Sequence, residues 1–118
     1  MPYTATHKYA RIAPRKVRHL ANLVRGKFTD EALDILRFQP HRGARMLEKV
    51  IKSALGNAEH KQAAGLDDLV VVDARIDPGP MMKRIRPRAR GMAFGVKRRM
   101  SHIKVALDTR VEITDAAE

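Results

Sequence analysis

The side chains in this sequence best suited to chemistry are guanidinium groups. Pro14-Arg15-Lys16-Val17-Arg18 and Pro87-Arg88-Ala89-Arg90-Gly91 crowd cations at adjacent and alternate positions. A guanidinium makes paired hydrogen bonds to phosphate and also stacks on bases. Side chains suited to catalysis are sparse. The serines, Ser53 and Ser101, sit in no nucleophile-elbow pattern. The 5 histidines (His7, His19, His41, His60, His102) are scattered without metal-ligand spacing, and cysteine is absent. Glu59 and His60 are neighbours, so on a helix they diverge by about 100°. Asn57 and His60 read as packing or RNA contacts, Asp67-Asp68 as a helix exit, and Met81-Met82 as a strand-edge contact. The sequence gives no reason to expect an enzyme, a metal or a cofactor.

The distribution of charge says what the cations are for. Lys and Arg total 24 against 13 Asp and Glu, a formal net charge of +11. From Met1 to Thr29 there is no acid, while Lys8, Arg11, Arg15, Lys16, Arg18, Arg25 and Lys27 are basic. From Pro78 to Leu107 there is again none, and Lys83, Arg84, Arg86, Arg88, Arg90, Lys97, Arg98, Arg99 and Lys104 follow one another. A surface selected only for solubility mixes both signs. Segregated like charge costs stability until a polyanion neutralises it. RNA is favoured over DNA, because no helix-turn-helix, basic zipper or zinc-finger spacing is present. Without an aromatic stacking motif, phosphate and shape in folded RNA are the natural targets.

The elements that must carry these cations follow from periodicity. Pro14 suits the first position of a helix that stops at Gly26, with Val17, Leu20, Ala21 and Val24 on its apolar face. That leaves Arg15, Lys16, Arg18 and Arg25 on the other side. Thr29 is expected to cap a short second helix ended by Pro40, with Asp30 and Glu31 at its start. A third helix is expected from about His41 to Ala64, closed by Gly65, on a stripe of Ala44, Leu47, Val50, Ile51, Ala54, Leu55 and Ala58. Gly43 and Gly56 weaken that helix slightly, by about 1 kcal/mol each against Ala, and would permit close helix packing. The period then becomes two: Val70, Val72, Ala74 and Ile76 face one way, and later Ile103, Val105 and Leu107 do the same. These two strands should pair antiparallel, with Tyr3 to Tyr9 as a possible third.

Between them, residues from about 78 to 103 are too long for an ordinary turn. We expect a hairpin of two arms, each about ten residues and on the order of 30 Å long, with Gly91, Gly95 and Pro87 permitting the turn at its tip. An isolated ribbon is marginal in water, so embedding in RNA would order it. The whole reads as α+β: three helices on a small antiparallel three-stranded sheet with a long protruding β-hairpin, in one domain over residues 1–110. Residues 111–118 are expected to be an acidic, disordered tail. Met1-Pro2-Tyr3-Thr4 lacks the apolar run of a signal peptide and no stretch is long enough to span a membrane, so the expected location is the cytoplasm.

Ala10-Arg11-Ile12, Arg25-Gly26-Lys27, Asn57-Ala58-Glu59-His60, Asp77-Pro78-Gly79-Pro80, Met82-Lys83-Arg84-Ile85, Pro87-Arg88-Ala89-Arg90-Gly91 and Ser101-His102-Ile103 occur in this order. In this the sequence resembles the ribosomal protein 22 family of the large subunit, from about Thr4 to Leu107. The resemblance implies binding to 23S ribosomal RNA, a part in early subunit assembly, and a hairpin that reaches the peptide exit tunnel. It implies that the tip, Arg88, Ala89, Arg90, Gly91, Met92 and Ala93, lines the tunnel beside ribosomal protein 4 and meets the nascent peptide. His102 joins the cations of both blocks as an expected RNA contact, and no homo-oligomer is expected. Met92 and Gly95 depart from the family, whose members often carry Arg there. The alternative reading is a free-standing RNA chaperone or architectural protein that uses the same charges without a fixed site.

Overall fold

The computed structural model describes residues 3–61 and 68–109. In chain order these form β1 (Tyr3–Ala10), α1 (Pro14–Val24), α2 (Thr29–Arg37), α3 (Arg42–His60), β2 (Leu69–Pro78), β3 (Met82–Pro87), β4 (Ala93–Arg98) and β5 (Ser101–Thr109). The expected end of the third helix at Ala64-Gly65, Asp67 and the acidic tail lie outside the described residues.

Strands β1, β5 and β2 make an antiparallel sheet in that order, so the last strand is central. Ile103, Val105 and Leu107 of β5 are fully buried, and Tyr3 and Ala5 of β1 pack on the same side. The three helices cover this face with Val17, Leu20, Leu36, Leu47 and Ile51. Close approach of α1 to α3 depends on Gly43: a Cβ there would stand 3.1 Å from Val17 Cγ2 and 3.3 Å from Ile12 Cδ1. Asn57 Nδ2 donates to the Thr4 carbonyl at 2.8 Å, which fixes α3 to β1.

Two local expectations are corrected. The Leu69–Pro78 strand does not keep one phase, because a bulge falls between Val71 and Asp73. Val71 opposes Leu107 and Ala74 opposes Val105, so Leu69 and Val71, not Val70 and Val72, join Ala74 and Ile76 in the core. One extra residue at a bulge inverts the alternation beyond it. Nor is Thr29 a cap. Phe28 holds that position, and the buried Thr29 hydroxyl donates to the Leu69 carbonyl at 3.0 Å. It satisfies a strand end where an apolar side chain would leave a buried acceptor unpaired.

β2 is an edge strand, and edges invite unwanted pairing. Here the end of α1 closes it. The Gly26 N–H donates to the Val71 carbonyl at 2.8 Å, and the Val71 N–H donates to the Lys27 carbonyl at 2.9 Å. Gly26 reaches this position with φ +84.

Beyond Pro78 and Ser101, which still pair, the ribbon separates into a second sheet. The Gly79 N–H donates to the Met100 carbonyl at 2.8 Å, and Pro80 next along has no N–H to give. β3 and β4 then pair from Met82↔Arg98 to Pro87↔Ala93. Each paired arm has 6 residues rather than about ten, a reach of roughly 20 Å at about 3.3 Å per residue. The molecule measures 63 × 28 × 25 Å, with one axis far longer than the others. At the tip, Arg90 and Gly91 take left-handed backbone, φ 63 and 72, and the Arg88 N–H donates to the Met92 carbonyl at 2.6 Å. Gly95 takes no part in this turn; it lies within β4, opposite Ile85.

The base of the hairpin is fastened by Ser101, whose buried hydroxyl donates to the Ile12 carbonyl at 2.6 Å. Ser101→Ala leaves that acceptor unpaired and should lower unfolding stability by about 1–2 kcal/mol. A urea titration checks this, with an unchanged midpoint counting against it.

Candidate nucleic-acid interface

The two basic blocks meet where α1 begins and the hairpin leaves the sheet. Arg11, Arg15 and Lys16 from the first block face Arg84, Lys97, Arg98 and Arg99 from the second. Arg42, the first residue of α3, completes the wall, its Nη2 donating to the Arg11 carbonyl and so tying α3 to the first basic block. They enclose an open groove of about 580 Å³ lined by eight cationic side chains and no acidic one. Residues some seventy positions apart in sequence share one concavity because Ser101 and the Ile12 carbonyl tie the two segments together.

The helix ends make the groove more anion-seeking still. The N-terminus of a helix carries partial positive charge, and acidic residues normally accumulate there. α2 obeys this with Asp30 and Glu31 in its first turn. α1 and α3 do the opposite: neither has an acid in the first turn or a side-chain cap. They place Arg15, Lys16 and Arg42 at these ends instead, all lining the groove. Positive helix ends and guanidinium groups brought together in this way suit phosphate.

Not every expected cation belongs to the groove. Arg18 donates through Nε and Nη2 to the Ile76 carbonyl at 3.4 and 3.3 Å. Arg25 donates to the Ala74 carbonyl and, at 2.8 Å, to Asn22 Oδ1. Both therefore clamp the β2 edge, although their side chains remain exposed. Lys27 lies beyond the far end of α1, and Lys8 is exposed on β1. Lys104 stands on the sheet face away from the helices, between Thr6 and Arg75. Half-buried His102 accepts the Tyr9 N–H on Nδ1 at 3.1 Å and meets the Tyr9 ring edge-on, with centroids 5.0 Å apart. It holds the left-handed turn of β1 at Tyr9, φ 60.

Along the ribbon, Met82, Arg84, Arg86, Phe94, Val96 and Arg98 share one face, and Lys83, Ile85, Pro87, Ala93, Gly95 and Lys97 share the other. Ile85 is 78% exposed, and Met92 and Phe94 are at least half exposed. Arg88 and Arg90 flank the exposed turn. Apolar and cationic side chains thus alternate on a ribbon that contributes nothing to the core.

Sequence reasoning missed Arg42. Its signal was present, since His41-Arg42-Gly43-Ala44-Arg45 opens a helix without an acid. Among the described residues no group of three or more His, Cys, Asp or Glu is placed to hold a metal, and no helix is long and apolar enough to cross a membrane.

The family model for ribosomal protein L22p/L17e matches residues 5–108, which span both walls of the groove and the whole ribbon. The chain belongs to this family. It is 60% identical to the large ribosomal subunit protein uL22 of Rhodopirellula baltica, over 93% of this chain and 96% of that one. The protein of the same name from Caldicellulosiruptor saccharolyticus is 51% identical, over 91% and 88%. That of Desulfotalea psychrophila is also 51% identical, over 92% and 98%. A ribosomal protein family is a structural class and not a class of enzyme. The L22p/L17e match also agrees with the resemblance carried by the Pro87–Gly91 and Ser101–Ile103 motifs.

Proposed function

We propose that this chain holds folded 23S ribosomal RNA in the groove between α1, α3 and the hairpin base, and carries its hairpin inward through that RNA. The coarser part, a structural constituent of the large ribosomal subunit in the cytoplasm, follows from the family. The finer part rests on one observation above the others: α1 and α3 load their positive ends with Arg15, Lys16 and Arg42 and aim them into one acid-free concavity. Such an arrangement is self-repelling in the free protein and is relieved by phosphate. Groove residues Arg11, Arg15, Lys16, Arg42, Arg84, Lys97, Arg98 and Arg99 position the body, while Lys83, Arg86, Arg88 and Arg90 contact RNA along the ribbon. Ala89, Gly91, Met92 and Ala93 complete a tip that lines the peptide exit tunnel beside ribosomal protein 4, in reach of the nascent peptide. By tying RNA segments at its body to segments along its ribbon, the chain supports early assembly.

The test is sedimentation of lysate through a gradient at about 0.5 M salt, where loose phosphate contacts are weakened. One copy per large-subunit RNA is expected. Release to the top of the gradient replaces this reading with a nonspecific RNA chaperone.

A further inference from the structure

Phe38 keeps its ring out of the hydrophobic core. It caps the C-terminus of α2 and is 84% exposed, more than any other large apolar side chain among the described residues. An exposed ring on a connection between helices is normally carried by mobile backbone, but this connection is pinned. Arg45 Nη2 donates to the carbonyls of Leu36, Arg37 and Gln39 at 2.5, 3.1 and 2.6 Å, on both sides of Phe38. Arg45 is itself held by Glu48 at 3.0 Å. At the other end of the connection the His41 ring meets His19 edge-on, with centroids 5.1 Å apart. One arginine of the first turn of α3 is thus used to hold backbone, and the ring it presents is left in water.

We propose that Phe38 is a preorganised platform on which an unpaired base of the large-subunit RNA stacks. The proposal rests on the RNA-binding reading given above and names a second kind of contact for it. The flanking chemistry selects the occupant. From Arg37 to Arg45 there are three arginines and a histidine and no acid. Arg37 lies 3.8 Å from Asp34 and Arg45 is paired with Glu48, and the positive charge that remains favours an anionic polymer over a protein surface with its own cations. Arg42, four residues along the chain from Phe38, lines the groove. A planar ring beside cations serves a base, because every base offers a π-face and guanidinium adds to the stack. A fixed ring loses little freedom on binding.

The chain contains no tryptophan, so the indole of Phe38→Trp reports from this position alone. The probe is deproteinised large-subunit RNA at about 0.3 M salt, with binding followed in parallel by filter retention. Stacking predicts quenching of the F38W emission on binding. It also predicts about tenfold weaker retention of Phe38→Leu, close to 1.4 kcal/mol, with Phe38→Tyr within about twofold of the parent. Retention of the RNA with unchanged emission, or F38L binding as tightly as the parent, overturns the platform and leaves the groove standing. No retention by the parent chain overturns the groove reading and the platform with it. A photoreactive benzoylphenylalanine at position 38 in assembled subunits should crosslink to RNA; crosslinking to protein overturns the proposal.

Discussion

Replacing Arg15, Lys16 and Arg98 together by glutamine should weaken binding to large-subunit RNA about a hundredfold at 0.15 M salt. It should also flatten the salt dependence by roughly two to three units of log affinity per log salt. Each neutralised phosphate contributes about 0.7 to 0.9 to that slope, and these three side chains line one groove from both of its walls. The control is Arg18→Gln. Arg18 comes from the same basic block, yet its guanidinium spans to the Ile76 carbonyl. Losing that clamp should cost about 1 kcal/mol of stability while the salt slope stays at the parent's value, without the change of about 0.7 to 0.9 that one lost phosphate contact brings. Arg88→Gln with Arg90→Gln forms a third arm. These side chains sit at the far end of the ribbon, so incorporation into subunits should persist and, on the proposed function, the disturbance should be confined to the surroundings of the tip. Titrations at four or five salt concentrations separate the arms. Equal slopes for the triple variant and for Arg18→Gln would remove the distinction between groove and clamp on which the functional reading depends.

That distinction marks what the sequence could and could not convey. Helices were legible because Val17, Leu20, Ala21 and Val24 repeat at a helical interval, and all four are buried. The ribbon was legible because two alternating strands enclose an acid-free stretch too long for a turn. A phase could not be read through Val70-Val71-Val72, since three like residues carry no alternation, and the bulge there decides which of them enter the core. Arg18 and Arg25 were expected to contact RNA, and their second partners were not legible, because a long side chain on a basic helix face says nothing of what lies within its reach. Their partners are carbonyls of an edge strand more than forty residues away, fixed only once the strand order β1-β5-β2 is known. Arg42 was overlooked for the converse reason: it lies in a stretch whose charge is balanced by Glu48 and Glu59, and only the helix end isolates it from them. Net charge along the chain therefore located the two surfaces, and tertiary contact selected which cations each one uses.

The groove should also fail without the loss of a single charge. Gly43→Leu is expected to lower unfolding stability by about 2–3 kcal/mol, the upper part of the range for overpacking. A Cβ at this position already comes within 3.1 Å of Val17 Cγ2, 3.3 Å of Ile12 Cδ1 and 3.4 Å of Leu20 Cδ1, so three further carbons have nowhere to go. α1 must then move away from α3. Because Arg15 and Lys16 open α1 and Arg42 precedes Gly43 on α3, that movement widens the gap between the two cationic helix ends. Affinity for RNA, measured well below the melting temperature, should fall about tenfold. Gly56 supplies the comparison on the same helix, since nothing lies within 4 Å of a Cβ built there. Gly56→Leu should gain about 0.5–1 kcal/mol through helix propensity and bind RNA as the parent does. If Gly43→Leu unfolds at the same urea concentration as Gly56→Leu, the close approach of α1 and α3 is not what limits side-chain size at this position. If it is destabilised yet binds RNA undiminished while folded, the spacing of the two helix ends does not set the phosphate site. The expected pairing, lower stability with weaker binding at unchanged net charge, makes the packing of one glycine the link between the hydrophobic core and the recognition of phosphate.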